Sequence, residues 1–310
     1  MDRIAVLLGG DSSERDVSLE SGANVAERFR TMGHSVLEID PVRTGTLDTL
    51  LQTLLKDKVD VVFNALHGGS GEDGRIQAAL SMTGIRFTGS GYKASCVAMD
   101  KYLSKLIAAD EGIPVPDYIM VRGDLLNDYQ DPSDYQGWIN KLGLPVVVKP
   151  NDSGSSVGIS LVDKPELLKP AVQEAFRHSR SVLLERFIPG RELTVTVLDS
   201  EVLPLVEIKP VNGWYDYTNK YTKGRTEYIA PAPIEESEAK LMQVYALRMW
   251  NAIGCAGYAR VDFRHDGNKA YFLEVNTLPG MTSLSLTPMA AAAAGITFDE
   301  LLERIIKINS

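Results

Sequence analysis

Cysteine is nearly absent. The 310-residue chain has two, Cys96 and Cys255, far apart and without CxxC spacing. That excludes a disulfide framework and a thiolate metal cage. The apolar surroundings of both residues predict buried, reduced thiols in a cytosolic protein. Histidine is scarce too, at four residues. None stands in a Ser-His-Asp or Cys-His pattern that would support a covalent nucleophile. No apolar run is long enough to span a bilayer, so no membrane role is expected. Positive charge is in deficit, with 32 Lys and Arg against 41 Asp and Glu and a net charge of -9. Nucleic acid and anionic membrane are therefore not the expected partners, and local positive charge must come from placed lysines and arginines. Met1-Asp2-Arg3-Ile4 runs straight into a strand pattern, so no signal peptide is expected. There is no internal repeat, and no low-complexity run beyond Ala290–Ala294, which suits a helix. What is present is ordinary for a soluble globular chain: 44% hydrophobic and 24% charged residues. The length allows roughly two to three domains with substantial cores.

Residues 1–95 alternate strand and helix patterns. Ile4-Ala5-Val6-Leu7-Leu8 is an apolar strand stopped by Gly9-Gly10. A helical pattern follows to about Met32, where Gly33 ends it. Ser35–Ile39 and Val59–Leu66 predict two more strands, with a helix over Leu47–Lys56 and another before Ile85-Arg86-Phe87-Thr88. This order predicts a parallel sheet with helices on both faces. Ligands of such sheets bind beyond the carboxyl ends of the strands, where Gly9-Gly10 and His67-Gly68 fall.

Residues 96–184 read differently. A helix carrying Asp100-Lys101 precedes a break at Ile113-Pro114-Val115-Pro116. Leu144–Pro150 reads as a strand, Asn151–Gly158 as a loop and Ile159–Val162 as a returning strand. A helix over Pro165–His178 and a strand over Val182–Glu185 follow. In residues 185–310 strands dominate. Glu192–Leu198 alternates, and Glu201–Ile208 pairs with it across Asp199-Ser200. Val211–Tyr228 is polar, aromatic and lysine-bearing, and a loop this long suits a lid. A helix over Glu236–Ile253 leads into Tyr258–Phe263. The fold class is α/β, turning α+β in the C-terminal half.

Several residues carry chemistry. Arg260 and Asp262 alternate onto one face of a strand, as do Glu274 and Asn276. Two carboxylates and an amide oxygen suit Mg²⁺ held together with phosphates, or else form a solvated hairpin face. The Gly154-Ser155-Ser156-Val157-Gly158 loop offers backbone N–H groups and hydroxyls to an anion. It lacks the lysine of a Walker loop and alone reads equally as a hairpin turn. Lys149, just before it at a strand end, could aim its ammonium at phosphate. Lys101 and Lys220 would join it there, although a lone helix-surface lysine is usually solvated. Glu185 at a strand end could read an adenine edge, and Glu192 could accept from ribose hydroxyls. His67 precedes a glycine-rich turn, where capping or packing is the default.

Taken in order, these stretches resemble the D-alanine–D-alanine ligases of the ATP-grasp superfamily over nearly the whole chain. The carriers are Leu7-Leu8-Gly9-Gly10 with Ser13–Ser18, Ala65-Leu66-His67-Gly68 with Gly71–Gly74, and Thr88-Gly89-Ser90-Gly91. Met99-Asp100-Lys101, Val148-Lys149-Pro150, the Gly154–Gly158 loop and Lys220-Tyr221 follow. Arg260-Val261-Asp262, Glu274-Val275-Asn276-Thr277 and Pro279-Gly280-Met281-Thr282 complete the set.

The resemblance implies an ATP-grasp fold. An N-terminal parallel α/β domain would be followed by two α+β domains sandwiching ATP. It implies that Lys101, Lys149 and Lys220 hold phosphates, with Gly154 and Ser156 in the loop beside them. Glu185, Arg186 and Ile188 would meet the adenine and Glu192 the ribose. Asp262, Glu274 and Asn276 would bind two Mg²⁺ ions, with Mn²⁺ possible in their place. Glu14 would take the ammonium of the first D-alanine, ordered by Ser155 and Tyr221, with His67 nearby. Arg260 and the Gly280 backbone would stabilise an oxyanion, and Ser285 and Leu286 would contact the second D-alanine. A cytoplasmic homodimer making cell-wall precursors is implied likewise. Leu284 departs from the family, where His is common at that place. A depsipeptide ligase, or a nucleotide-binding protein of this fold without turnover, is the alternative reading.

One expectation is geometric. For Asp262 and Glu274 to share a face of a hairpin, paired residues must have numbers of equal parity. The turn around His265-Asp266-Gly267-Asn268 must then hold an odd number of residues, barring a compensating bulge. A three-residue loop with Gly267 left-handed would do this, and a two-residue Asp266-Gly267 turn would not.

Overall fold

The computed structural model describes residues 1–123, 132–154, 157–211 and 224–308. Three four- to six-stranded sheets follow one another along the chain.

The first is parallel, in the order β2-β1-β3-β4, with β1 Arg3–Leu7, β2 Ser35–Ile39, β3 Val61–Asn64 and β4 Arg86–Phe87. The central strands β1 and β3 are apolar on both faces because helices cover both. Those helices are α1 Arg15–Thr31, α2 Pro41–Thr44, α3 Leu47–Lys56 and α4 Arg75–Thr83. Gly9-Gly10 and the His67–Gly74 turn leave the carboxyl ends of β1 and β3, as the alternating pattern predicts.

Next come α5 Tyr92–Met99 and α6 Lys101–Asp110. Here the structure corrects the expectation of one helix carrying Asp100-Lys101. Asp100 lies between the two, in an extended conformation, and its side chain caps α6 by accepting from Leu103 N at 2.9 Å.

The second sheet is antiparallel, in the order β5-β8-β6-β7. Its strands are β5 Tyr118–Arg122, β6 Val146–Pro150, β7 Ser160–Val162 and β8 Ser181–Arg186. The strand β5 and the helix α7 (Pro132–Leu142) have no counterpart in the sequence reading. The helix expected over Pro165–His178 is a 3-10 turn followed by α8 Leu168–Ala175. The expected boundary between residues 184 and 185 falls inside β8.

The third sheet runs β12-β11-β9-β13-β14, with the short β10 pairing β9. Its strands are β9 Arg191–Leu198, β10 Glu201–Val202, β11 Val206–Pro210, β12 Thr226–Ile229, β13 Tyr258–His265 and β14 Ala270–Asn276. The helix α9 (Glu236–Ile253) covers one face together with α5 and α6. Most of the expected lid, residues 212–223, lies outside the described residues. Its last part is not loop, because β12 begins at Thr226 and pairs β11. The chain ends with α10 Leu286–Ala293 and α11 Phe298–Ile308.

Strand alternation decides what faces the gap between the second and third sheets. In β9 and β13 the odd-numbered Leu193, Val195, Val197, Val261 and Phe263 pack against the helices. The even-numbered Glu192, Arg260, Asp262 and Arg264 line the opposite side. In β14 the rule breaks once. Ala270 and Phe272 face the helices, and so does Val275. A bulge lies between, because Asp262 pairs with Glu274 and Phe263 pairs with Phe272, leaving Leu273 without an opposite residue. Four residues, Asp266–Lys269, join the strands, with Gly267 left-handed at φ 96. The turn is even rather than the three-residue loop, and the compensating bulge that the parity argument allowed restores the shared face.

One further expectation is corrected. Cys96 is exposed, because it falls on the outer face of α5, while Cys255 is half-buried with its thiol pushed up to about 12 by burial. Among the described residues no helix is long and apolar enough to cross a membrane.

Candidate active site

Two clefts meet between the sheets. The larger is lined by Lys101, Lys149, Gly154, Glu185, Arg186, Ile188, Glu192, Arg260, Asp262, Arg264 and Glu274. The second is lined by Glu14, Glu72, Lys101, Gly154, Arg260, Glu274 and Asn276, among others. Lys101, Gly154, Arg260 and Glu274 belong to both. Any group spanning the two must pass these four residues.

In the second sheet, Val146, Val148, Val182 and Leu184 pack under the helices. The intervening Val147, Lys149 and Glu185 therefore face the cleft. Glu185 is buried between two ammonium groups, with Lys149 Nζ 2.8 Å from Oε2 and Lys105 Nζ 2.9 Å from Oε1. Both carboxylate oxygens thus face an ammonium, and Oε1 is closed to solvent. Burial pushes the Glu185 carboxyl up, but Lys105 and Lys149 together hold it below the usual carboxylate range. Lys105 is fully enclosed, and burial pushes it down to about 8 against the pull of Glu185. Sequence reading missed Lys105. Its signal is the four-residue spacing from Lys101, which puts two like charges on one helix face.

Lys101 opens α6 and reaches across the cleft. Its Nζ donates to Ser153 O at 2.7 Å and lies 3.4 Å from Glu274 Oε2. Asn151 O and Oδ1 accept from the backbone N–H groups of Lys101 and Tyr102, tying the glycine loop to the helix. Arg186 leans outward, half-exposed, with Nε 3.1 Å from Asp117 Oδ2.

On the third sheet Arg260 grips Asp262 with two parallel bonds of 2.8 Å, and Thr194 Oγ1 donates to Asp262 Oδ1 at 2.6 Å. Glu274 stands directly opposite Asp262. Asn276 stands opposite Arg260, and its Oδ1 accepts from Leu278 N at 2.8 Å. Glu192 accepts from Arg264 Nη1 at 3.2 Å. Burial pushes its carboxyl up to about 7, and Asp262 and Glu274 add to this while Arg264 opposes it.

This donor set fits a hard cation. Among the described residues no three His, Cys, Asp or Glu side chains form a cage. Two carboxylates and an amide oxygen instead leave positions for phosphate oxygens and water, which is how Mg²⁺ is usually held. A carboxylate has about four acceptor positions, so Asp262 keeps capacity beyond the bonds from Arg260 and Thr194.

Glu14 reaches the second cleft from the start of α1 and is buried. The loop comes so close that a Cβ on Gly154 would sit 3.0 Å from Glu14 Oε2. Glu72, which sequence reading passed over, lies beside it and accepts from Gly68 N at 3.0 Å.

His67, Gly280, Ser285 and Leu286 are not in the walls of either cleft. They gather behind the second one. His67 Nδ1 bonds Leu278 O at 3.0 Å, and its Nε2 bonds Ser21 Oγ at 3.1 Å. Ser21 Oγ in turn accepts from Met281 N, next to Gly280. Ser285 Oγ accepts from Thr282 N at 2.9 Å. The Leu286 side chain is buried in the core, so only its backbone can meet a substrate. It opens α10, whose N-cap Ser285 makes no side-chain cap bond. Leu284 is exposed. Ser155, Ser156, Lys220 and Tyr221 lie outside the described residues.

The D-ala D-ala ligase C-terminus family model matches residues 107–307, and the corresponding N-terminus model matches residues 38–90. The chain belongs to the D-alanine–D-alanine ligase family. It is 45% identical over 309 residues to the D-alanine–D-alanine ligase of Syntrophotalea carbinolica, covering 98% of this chain and 95% of that one. It is 42% identical to that of Actinobacillus pleuropneumoniae serotype 5b over 310 residues, covering 100% and 98%. Among solved structures, the D-alanine–D-alanine ligase of Bacillus anthracis superposes with a TM-score of 0.85 at 33% identity, covering 100% and 97% of the two chains. The ATP complex of that ligase superposes with a TM-score of 0.84 at 30% identity, covering 100% and 97%. The three sheets are those of the ATP-grasp fold, a parallel α/β sheet followed by two antiparallel sheets facing one another across a cleft.

Proposed function

We propose that this member of the ligase family joins two D-alanines at the expense of ATP, giving D-alanyl-D-alanine, ADP and phosphate for peptidoglycan precursors. The observation that carries this reading is the junction of the two clefts at Lys101, Gly154, Arg260 and Glu274. A nucleotide in the larger cleft would bring its terminal phosphate to that junction, and an amino acid held by Glu14 would meet it there.

The residues divide the work. Glu185 meets the adenine, with Arg186 and Ile188 along the base, and Glu192 accepts from the ribose. Lys101, Lys149 and Lys220 neutralise phosphates, with Gly154 and Ser156 in the loop. Asp262, Glu274 and Asn276 would hold Mg²⁺, two ions or Mn²⁺ in their stead, which supply charge neutralisation of the phosphates. Glu14 binds the ammonium of the first D-alanine, with Ser155, Tyr221 and His67 fixing its surroundings. The carboxylate of that D-alanine attacks the γ-phosphorus, giving an acyl phosphate. The amine of the second D-alanine, held at Ser285 and the Leu286 backbone, attacks the acyl carbon, and phosphate leaves. Arg260 and the Gly280 N–H stabilise the oxyanion formed in that step. Acyl phosphates hydrolyse, so water is excluded, with residues 211–225, the part of the segment before β12, as the lid. A cytoplasmic homodimer completes the reading.

The test is phosphate release from ATP with and without D-alanine, with the product identified by mass. Release that requires D-alanine and yields the dipeptide supports the reading. Lys149→Ala, assayed as folded protein, abolishes turnover. Release unaffected by D-alanine refutes the reading, and wild-type turnover in Lys149→Ala refutes the role given to Lys149.

A further inference from the structure

Two lysines of α6, Lys101 and Lys105, lie four residues apart and therefore on one helix face. On a solvated helix such a pair repels. Here both are buried and both turn to β14. Lys105 Nζ donates to Leu273 O at 3.1 Å and Phe272 O at 3.3 Å, and stands 5.7 Å from the centre of the Phe272 ring. Those carbonyls belong to the surplus residue of the β14 bulge and the residue before it. The same ammonium lies 2.9 Å from Glu185, whose other oxygen meets Lys149. One cation thus joins α6, the bulge and the carboxylate that pairs with Lys149. Burying an ammonium is costly, and an apolar side chain would fill this space more cheaply. Lys105 is in the walls of neither cleft.

We propose that Lys105 is a positioning residue for the metal–phosphate site. It holds the bulge that sets Glu274 opposite Asp262, and through Glu185 it keeps Lys149 aligned with them. The inference rests on the functional reading above and adds to it a residue that touches neither nucleotide nor metal.

The test is Mn²⁺ binding, measured by electron paramagnetic resonance in the presence of a non-hydrolysable ATP analogue. In Lys105→Met the Mn²⁺ affinity falls roughly 10- to 100-fold, the loss typical when the support behind a metal ligand is removed. That variant leaves Glu185 buried beside a single cation and can fail to fold. The double variant Lys105→Met/Glu185→Gln removes both charges, and it is compared with Glu185→Gln alone. The double variant binds Mn²⁺ roughly 10-fold or more weakly than Glu185→Gln. Equal affinity within either pair, in folded protein, overturns the role of Lys105 and leaves the functional reading standing. A wild type that binds no Mn²⁺ with the nucleotide analogue overturns that reading and this inference together.

Discussion

Glu192 shows how a single residue is held ready for a ligand at a cost to the empty protein. Its carboxyl ionises at about 7 in the fold and at about 4.5 when unfolded, because it is buried near Asp262 and Glu274, and the hydrogen bond from Arg264 offsets this only in part. Between those two values the folded state binds the proton more tightly than the unfolded state. Stability of the nucleotide-free protein therefore falls as pH rises through this window. Glu192→Gln removes the titration. The variant should melt higher than wild type at pH 8, and the advantage should vanish by pH 4. Its affinity for ATP should fall, since an amide accepts less well from ribose hydroxyls than a carboxylate does. Scanning calorimetry at the two pH values checks the first statement. A melting difference independent of pH would refute it. Lys105, by contrast, was legible only as a like-charged neighbour of Lys101 on one helix face. A lysine in a helix reads as solvated unless the carboxylate and carbonyls it meets are known, and those come from β8 and β14, far along the chain.

At the scale of elements, the hairpin from β9 to β10 was legible in its turn. Asp199-Ser200 joins them, with Glu201 paired to Leu198, and both turn residues are left-handed at φ 48 and 68. Neither is the asparagine–glycine pair such a turn prefers. Ser200→Gly should therefore stabilise the protein by roughly 1 kcal/mol, by relieving backbone strain at a position away from both clefts. Urea unfolding would show a higher midpoint with unchanged ligase activity, and an unchanged or lower midpoint would refute the strain argument. Most strands of the first and third sheets were equally readable, because apolar runs or strict alternation mark them. The strand β5 was not, for it lies at a sheet edge and its residues are half-buried without alternation. The β13–β14 register was legible only in part. Alternation asked for Asp262 and Glu274 on one face, and they stand directly opposite one another on it. It could not locate the parity change, because the bulge is a backbone insertion whose carbonyls are held by a distant donor, the Lys105 ammonium.

At the scale of the molecule, the three sheets are not equally joined. One core runs from Ile4, Val6 and Phe63 of the first sheet to Leu198 and Val206 of the third and on to Leu301 and Ile305 of α11. Asn24 Nδ2 donates to Met281 O at 2.6 Å and Arg28 Nε to Asp299 Oδ1 at 2.8 Å across the same seam. The second sheet has a core of its own, with every member between Ile119 and Leu184. Its contacts to α6 include Lys101 with Ser153 and Lys105 with Glu185, polar links that line or support the cleft. A ligand bound across the cleft should therefore couple this sheet to the rest. Leu168→Ala empties a fully buried position in that core and should cost about 2–5 kcal/mol. Hydrogen exchange should accelerate in residues 118–122, 146–150 and 181–186 and stay unchanged in β1, β3 and β13. Mg²⁺ and ATP at about 100 times Kd should return about 2.7 kcal/mol of protection to the second sheet. Equal acceleration across all three sheets would mean that they unfold as one unit, and the cleft would then be a fixed groove rather than a joint that the nucleotide closes.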